Sequence, residues 1–203
     1  MRLDGNKQPP LRVIVSGGIG SGKTAVLRIL ERQGAVVIEA DRIGHEVLEP
    51  GGAAHDAVAA LWPSAMVDGR VDRALLAAIV FTDGEQLALL ESITHPAIRD
   101  EIAARVVAAG EHDVVLELPF RSELAGPGWA RLIVDAPTEL RIRRSVARGM
   151  AEADAANRLA VQPQREEWLV GAEHVIVNTG TLADLEQAVR NVWRELKAGA
   201  GSG

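Results

Sequence analysis

A chain of 203 residues with 47% apolar side chains can bury one sizeable core, or one core with an insertion, and its formal charge of −6 argues against a surface that coats nucleic acid. It has no cysteine, which excludes a disulfide framework and a thiolate metal site or nucleophile. No apolar run reaches the ~18 residues of a membrane span, tyrosine is absent, and the opening MRLDGNKQPP lacks the apolar stretch of a signal peptide, so a cytoplasmic enzyme without base-stacking platforms is expected.

Residues 1–10 are polar and end in Pro-Pro, which reads as a loose arm. Leu11 to Val15 is a short branched run, the pattern of a buried strand. Gly17-Gly18-Ile19-Gly20-Ser21-Gly22-Lys23-Thr24 follows at once and fits G-x-x-x-x-G-K-[ST]. Val26, Ile29 and Leu30 then recur at helical spacing, with Gly34 placed to end the helix. Between a strand and a helix, this spacing predicts a loop whose backbone N–H groups converge on a phosphate chain at a helix N-terminus. Gly18, Ile19, Gly20, Ser21, Gly22, Lys23, Thr24 and Ala25 are the candidate nucleotide contacts. Lys23, one of only three lysines, would reach the β- and γ-phosphates of ATP, and the Thr24 hydroxyl would ligate Mg²⁺.

Ala35 to Ile38 is a second strand-like run, closing on Glu39-Ala40-Asp41. Ligands bind outside the carboxyl ends of strands in an open α/β sheet, so Asp41 is a candidate to align or deprotonate an acceptor hydroxyl, and it could also cap the following helix. Residues 42–110 change character: Arg42–Glu49, Ala53–Leu61, Arg73–Phe81, Gly84–Ser92 and Ala97–Ala109 read as helices, broken at Pro50-Gly51-Gly52 and Asp68-Gly69. So much helix between strands exceeds a normal crossover and predicts an inserted helical subdomain.

Val114 to Leu116 is the third strand and ends at Glu117, an acid that could align Mg²⁺-bound water or be held by a backbone turn. Leu132 to Val134, ending at Asp135, is the fourth, and Val175 to Val177, ending at Asn178, the fifth. Between them lie Arg141, Arg143, Arg144 and Arg148, of which Arg141, Arg144 and Arg148 share one helical face. A solvated charged face is the common meaning of such a set; beside a phosphate loop, a lid closing over the transferring phosphate is the alternative. Leu182 to Leu196 forms an amphipathic last helix with Thr181 and Asp184 as a capping pair and Trp193 beside the apolar stripe, before a tail at Ala198–Gly203. No Asn-Lys-x-Asp guanine reader follows a late strand and no strand closes on Asp-Glu, so neither a GTPase nor a motor ATPase is indicated.

With these motifs in this order, residues 11–195 resemble the dephospho-CoA kinase family. The resemblance lies in GGIGSGKT, in EADRIGHEVLEPG with Asp41 on the family's catalytic aspartate, in DGRVDRALLAAIVF, in Thr94-His95-Pro96-Ala97-Ile98, in ELRIRRSVARGM and in AEHVIVNTG. Five strands alternating with helices themselves predict a mostly parallel sheet with helices on both faces; the resemblance implies that this is a P-loop NTPase-type α/β fold (core about 11–41 and 112–197) with a helical acceptor-binding subdomain at about 42–110 and a lid at about 138–165. The implied reaction moves the γ-phosphate of ATP–Mg²⁺ to the ribose 3′-hydroxyl of dephospho-CoA, giving CoA and ADP. Asp41, Lys23 and Arg148 would be catalytic, with Arg141 and Arg144 completing the lid, and Asp41, Arg73, His95 and Glu123 would serve the acceptor. The family's Pro-Leu-Leu-x-Glu reads Pro119-Phe120-Arg121-Ser122-Glu123 here, and Glu39, Glu117 and Glu173 stand where Asp is frequent. The chain is expected to act as a monomer on a small molecule, without nucleic-acid or membrane partners. Two alternatives are another P-loop small-molecule kinase, acting on a nucleoside or sugar acid, and a nucleotide-binding module of low turnover.

Overall fold

A computed structural model describes residues 9–119, 124–163 and 165–200. Most of the expected arm at residues 1–10, the turn holding Phe120, Arg121, Ser122 and Glu123, and the last three residues lie outside them. In chain order the elements begin with β1 (Arg12–Ser16), α1 (Lys23–Arg32), β2 (Val36–Glu39), α2 (Ala40–Glu46), α3 (His55–Leu61), a 3₁₀ turn at Pro63–Ala65, β3 (Met66–Val67) and β4 (Arg70–Val71). They continue with α4 (Arg73–Val80), α5 (Gly84–Ala108), β5 (Val114–Glu117), β6 (Ala130–Asp135), α6 (Thr138–Ala147), α7 (Glu152–Ala160), α8 (Arg165–Leu169), β7 (His174–Val177) and α9 (Leu182–Ala200). They form two compact units: one combines the described residues up to Ile38 with those from Ala109 onward, and the other is Glu39–Ala108.

The first unit is built on a sheet of order β2-β5-β1-β6-β7. β1 runs parallel to β5 and to β6, and β6 parallel to β7, which puts the ends of β1, β5, β6 and β7 on one edge. Alternation decides which residues of β1 go where: Val13 and Val15 join Val26, Leu30, Leu185, Val189 and Trp193 in the core beneath α1 and α9. Ile14, Leu116 and Ile133, outside that cluster, are buried too, which is why these strands read as near-continuous apolar runs. α1 ends as expected, with Gly34 at φ +91° and its N–H donating to the Glu31 carbonyl at 2.9 Å. The expected capping pair is also present: Thr181 Oγ1 donates to Asp184 Oδ2 at 2.7 Å, and the Asp184 N–H donates back at 3.3 Å. α9 runs to Ala200, further than the expected Leu196, and Lys197 Nζ ties its last turns to Asp113 at 2.9 Å.

The second unit is helical, with a core of Val58, Trp62, Ala65, Leu76 and Val80. One expectation holds with added detail here, and one needs correction. The break at Asp68-Gly69 is the turn of a short antiparallel hairpin, β3–β4, too brief to show period-two alternation. The two helices expected at Gly84–Ser92 and Ala97–Ala109 are one, α5, which runs straight through Pro96. Proline removes one N–H donor from a helix interior, but burial of Thr94, Ile98 and Ile102 and packing of α5 on α2 outweigh that loss. α2 is held to α5 by Arg105, which pairs with both Glu101 and Glu46. The α4 N-terminus is capped by Asp72, whose Oδ1 accepts from the N–H groups of Ala74 and Leu75 at 2.9 and 3.0 Å.

Candidate active site

The loop between β1 and α1 is shaped by two left-handed glycines, Gly20 at φ +75° and Gly22 at φ +102°. Gly22 is required twice over, because a Cβ there would also collide with the Asn178 side-chain amide. The loop's carbonyls are occupied by its surroundings. Asn178 Nδ2 donates to the Ser21 carbonyl at 2.8 Å, Arg144 Nη1 to the same oxygen at 3.4 Å, and Arg141 Nε to the Ile19 carbonyl at 2.9 Å. Tying the oxygens outward leaves the positive ends of the peptide dipoles and the N-terminus of α1 to face an anion. Ser21 is wholly buried, and its hydroxyl has no hydrogen-bond partner among the described residues.

Lys23 opens α1, and its Nζ lies 2.5 Å from Glu117 Oε1 at the end of β5, with both side chains about one-fifth exposed. The acid expected at that strand end is therefore the ion-pair partner of the loop lysine. Thr24 is exposed beside it.

Within the same unit, α6 reaches the loop through Arg141, the segment after α7 through Gln162 and α8 through Trp168. Arg141 is 6% exposed. Besides Ile19, its guanidinium donates to Gln162 Oε1 and lies 4.4 Å from the centroid of the Trp168 ring. Gln162 Oε1 also accepts from the Ile19 N–H at 3.3 Å, so one amide joins the loop to the Arg141 guanidinium. Burial pushes the Arg141 guanidinium below its usual range, opposed by the charge of Asp135. Asp135, at the end of β6 and 1% exposed, accepts from Arg165 Nη2 at 2.6 Å and Nε at 2.9 Å. That hydrogen-bonded pair holds Arg165 above its ordinary value. Arg144 Nη2 reaches Asn178 Oδ1 at 3.3 Å. Arg148 turns its Nε to the Arg144 carbonyl at 3.2 Å and lines an open depression of about 440 Å³ with Gly22, Thr24, Ala25 and Arg28.

The structure thus gathers Gly18 to Ala25, Lys23, Glu117, Arg141, Arg144 and Arg148 in one unit. Asp41, Arg73 and His95 lie in the other: Asp41 exposed in the first turn of α2, Arg73 exposed at the start of α4, and His95 half-buried within α5. Asp41 is not the N-cap, a position that Glu39 takes, and His95 stands mid-helix and not at a helix start. Glu123 lies outside the described residues. Sequence reasoning missed Gln162, Trp168 and the Asp135–Arg165 pair. Only Asp135 carried a signal, an acid at the carboxyl end of a strand.

A family model described as dephospho-CoA kinase matches residues 11–184. A dephospho-CoA kinase of Corynebacterium diphtheriae is 39% identical over 193 residues, spanning 91% of this chain and 96% of the relative. One from Streptomyces avermitilis is 41% identical over 199 residues, spanning 92% and 94%. Among solved structures, TT1252 from Thermus thermophilus is similar with a TM-score of 0.81 and 35% identity, over 93% of this chain and 99% of that one. The dephospho-CoA kinase from Campylobacter jejuni has a TM-score of 0.67 and 26% identity, over 92% and 97%.

Proposed function

The chain belongs to the dephospho-CoA kinase family and phosphorylates dephospho-CoA with ATP in CoA biosynthesis; we propose that Lys23, Asp41 and the lid arginines carry the transfer to the ribose 3′-hydroxyl. The observation behind this reading is the phosphate loop itself, its carbonyls drawn outward by Arg141, Arg144 and Asn178 and its lysine poised on Glu117.

In this reading the N–H groups from Gly18 to Ala25 hold the triphosphate. Lys23 exchanges part of its bond to Glu117 for β- and γ-phosphate oxygens. The Asp41 carboxylate takes the proton of the acceptor hydroxyl as that oxygen bonds to the γ-phosphorus, and the bond to the β–γ bridging oxygen breaks with its electron pair leaving on ADP. Arg141, Arg144 and Arg148 neutralise charge spread over the transferring group. Arg73, His95 and Glu123 are assigned to the acceptor on the resemblance alone.

The donors beside the loop suit Mg²⁺. They are one hydroxyl, Thr24, and one carboxylate, Glu117, while no group of three or more His, Asp or Glu forms a protein cage among the described residues. A small hard cation that keeps waters and phosphate oxygens as ligands needs no more than that. When bound, it supplies charge neutralisation at the β- and γ-oxygens. No helix among the described residues is long and apolar enough to cross a membrane; a cytoplasmic, monomeric enzyme is part of the same proposal.

The test is whether dephospho-CoA accelerates ADP release while adenosine and AMP do not. Equal acceleration by AMP would move the assignment to a nucleoside-type kinase.

A further inference from the structure

Trp168 is 3% exposed and comes from α8, a helix of five residues. A Cβ on Gly18 would lie far inside contact distance of both Trp168 Cη2 and Arg141 Nη2. Glycine at this position therefore lets ring and guanidinium reach the phosphate loop together. Arg141 is held on two sides. Its polar edge donates to the Ile19 carbonyl and to Gln162, and its plane meets the face of Trp168 at 4.4 Å. These partners are neutral. Among the described residues no carboxylate touches Arg141, and Asp135, the acid that acts on it from further away, is taken up by Arg165. A guanidinium has five N–H groups, so this arrangement fixes its orientation while leaving donors for an anion. An aromatic face attracts the cation through its quadrupole and keeps water from competing.

We propose that Trp168 is a positioning residue for phosphoryl transfer: it presses the Arg141 guanidinium onto the Gly18–Ile19 end of the loop, with its remaining N–H groups fixed for a phosphoryl oxygen. Asp135 and Arg165 seat it by fastening α8 to the end of β6. The proposal rests on the reading that Arg141 serves the transfer. It assigns the lid a fixed cation whose aim is set by a residue that never touches substrate.

The test compares Arg141→Gln, Trp168→Leu, Trp168→Phe and the Arg141→Gln/Trp168→Leu double variant, with rates normalised to folded enzyme and with ATP affinity measured separately. Trp168→Leu is expected to lower kcat by about 2- to 30-fold, the range of a cation–π contact, with KM values and ATP affinity nearly unchanged. Trp168→Phe recovers part of the loss because an aromatic face returns. The double variant is no slower than Arg141→Gln alone, since the tryptophan then has nothing to aim. If Trp168→Leu does not fold, Arg165→Met takes its place, because Arg165 is half exposed; freeing α8 from Asp135 should lower kcat at constant ATP affinity. Unchanged kcat in Trp168→Leu, or in Arg165→Met where that stands in, overturns the proposal. So do losses that multiply in the double variant. Unchanged kcat in Arg141→Gln removes the underlying reading of Arg141, and the proposal with it.

Discussion

Replacing Glu117 by Gln should tighten binding of metal-free ATP while slowing the metal-supported reaction. Lys23 and Glu117 sit 2.5 Å apart, each side chain about one-fifth exposed. At an effective dielectric of about 20 two unit charges at that distance attract by roughly 7 kcal/mol, of which desolvation removes the larger part. A net worth of about 1.5–3 kcal/mol is typical of a charged hydrogen bond, and the amide keeps the contact but not the charge. ATP must compete with Glu117 for the lysine and is also repelled by the carboxylate, so losing the charge should lower its dissociation constant about tenfold, or ~1.4 kcal/mol. Calorimetric titration of ATP in the presence of a chelator reads this directly. With Mg²⁺ restored, turnover should fall, because the oxygen assigned to metal-bound water has become part of an amide. Metal-free affinity that stays constant or weakens would refute the reasoning, since Glu117 would then not be restraining Lys23 in solution.

Asp41→Asn should leave ATP affinity unchanged and lower kcat by roughly 10²–10⁴, measured by coupled ADP release; unchanged turnover takes Asp41 out of the mechanism. Arg148→Ala should reduce kcat more than ATP affinity, and the reverse split would make Arg148 a binding contact only. In the helical unit, His55 donates to Asp56 at 2.8 Å and to the Gly69 carbonyl at 3.1 Å, two bonds that favour the charged ring, with Asp56 the larger cause. Its folded-state pKa is raised above 6.5, so its contribution to stability is complete below that value and is lost as pH rises through the raised one. NMR titration of the ring should show the shift, and His55→Gln should abolish that part of the pH dependence of unfolding.

The phosphate loop was legible because its signals are local: a branched run, glycines at fixed offsets, Lys23-Thr24 and a helical stripe within two dozen residues. The sheet was legible for a similar reason, since strands buried on both faces are apolar throughout. The continuity of α5 was not, because proline acts on the local backbone while the forces that override Pro96 come from α2, far away in sequence. The Lys23–Glu117 pair was half visible: the acid at the strand end could be named, its partner could not. Arg141 was named only as one member of the arginine set, with Arg148 the one marked out, and Gln162 and Trp168 were not named, since nothing in a single sequence says that residues more than twenty positions from Arg141 meet it beside Gly18 and Ile19.

The bond from Asn178 to the Ser21 carbonyl joins the outset of the fold to its finish, spanning 157 positions. A chain still emerging from the ribosome has GGIGSGKT early but lacks that brace until β7 has been made. The last bracing of this loop is then a late event in biogenesis, and any ligand that binds only the braced loop stabilises finished molecules over unfinished ones by mass action.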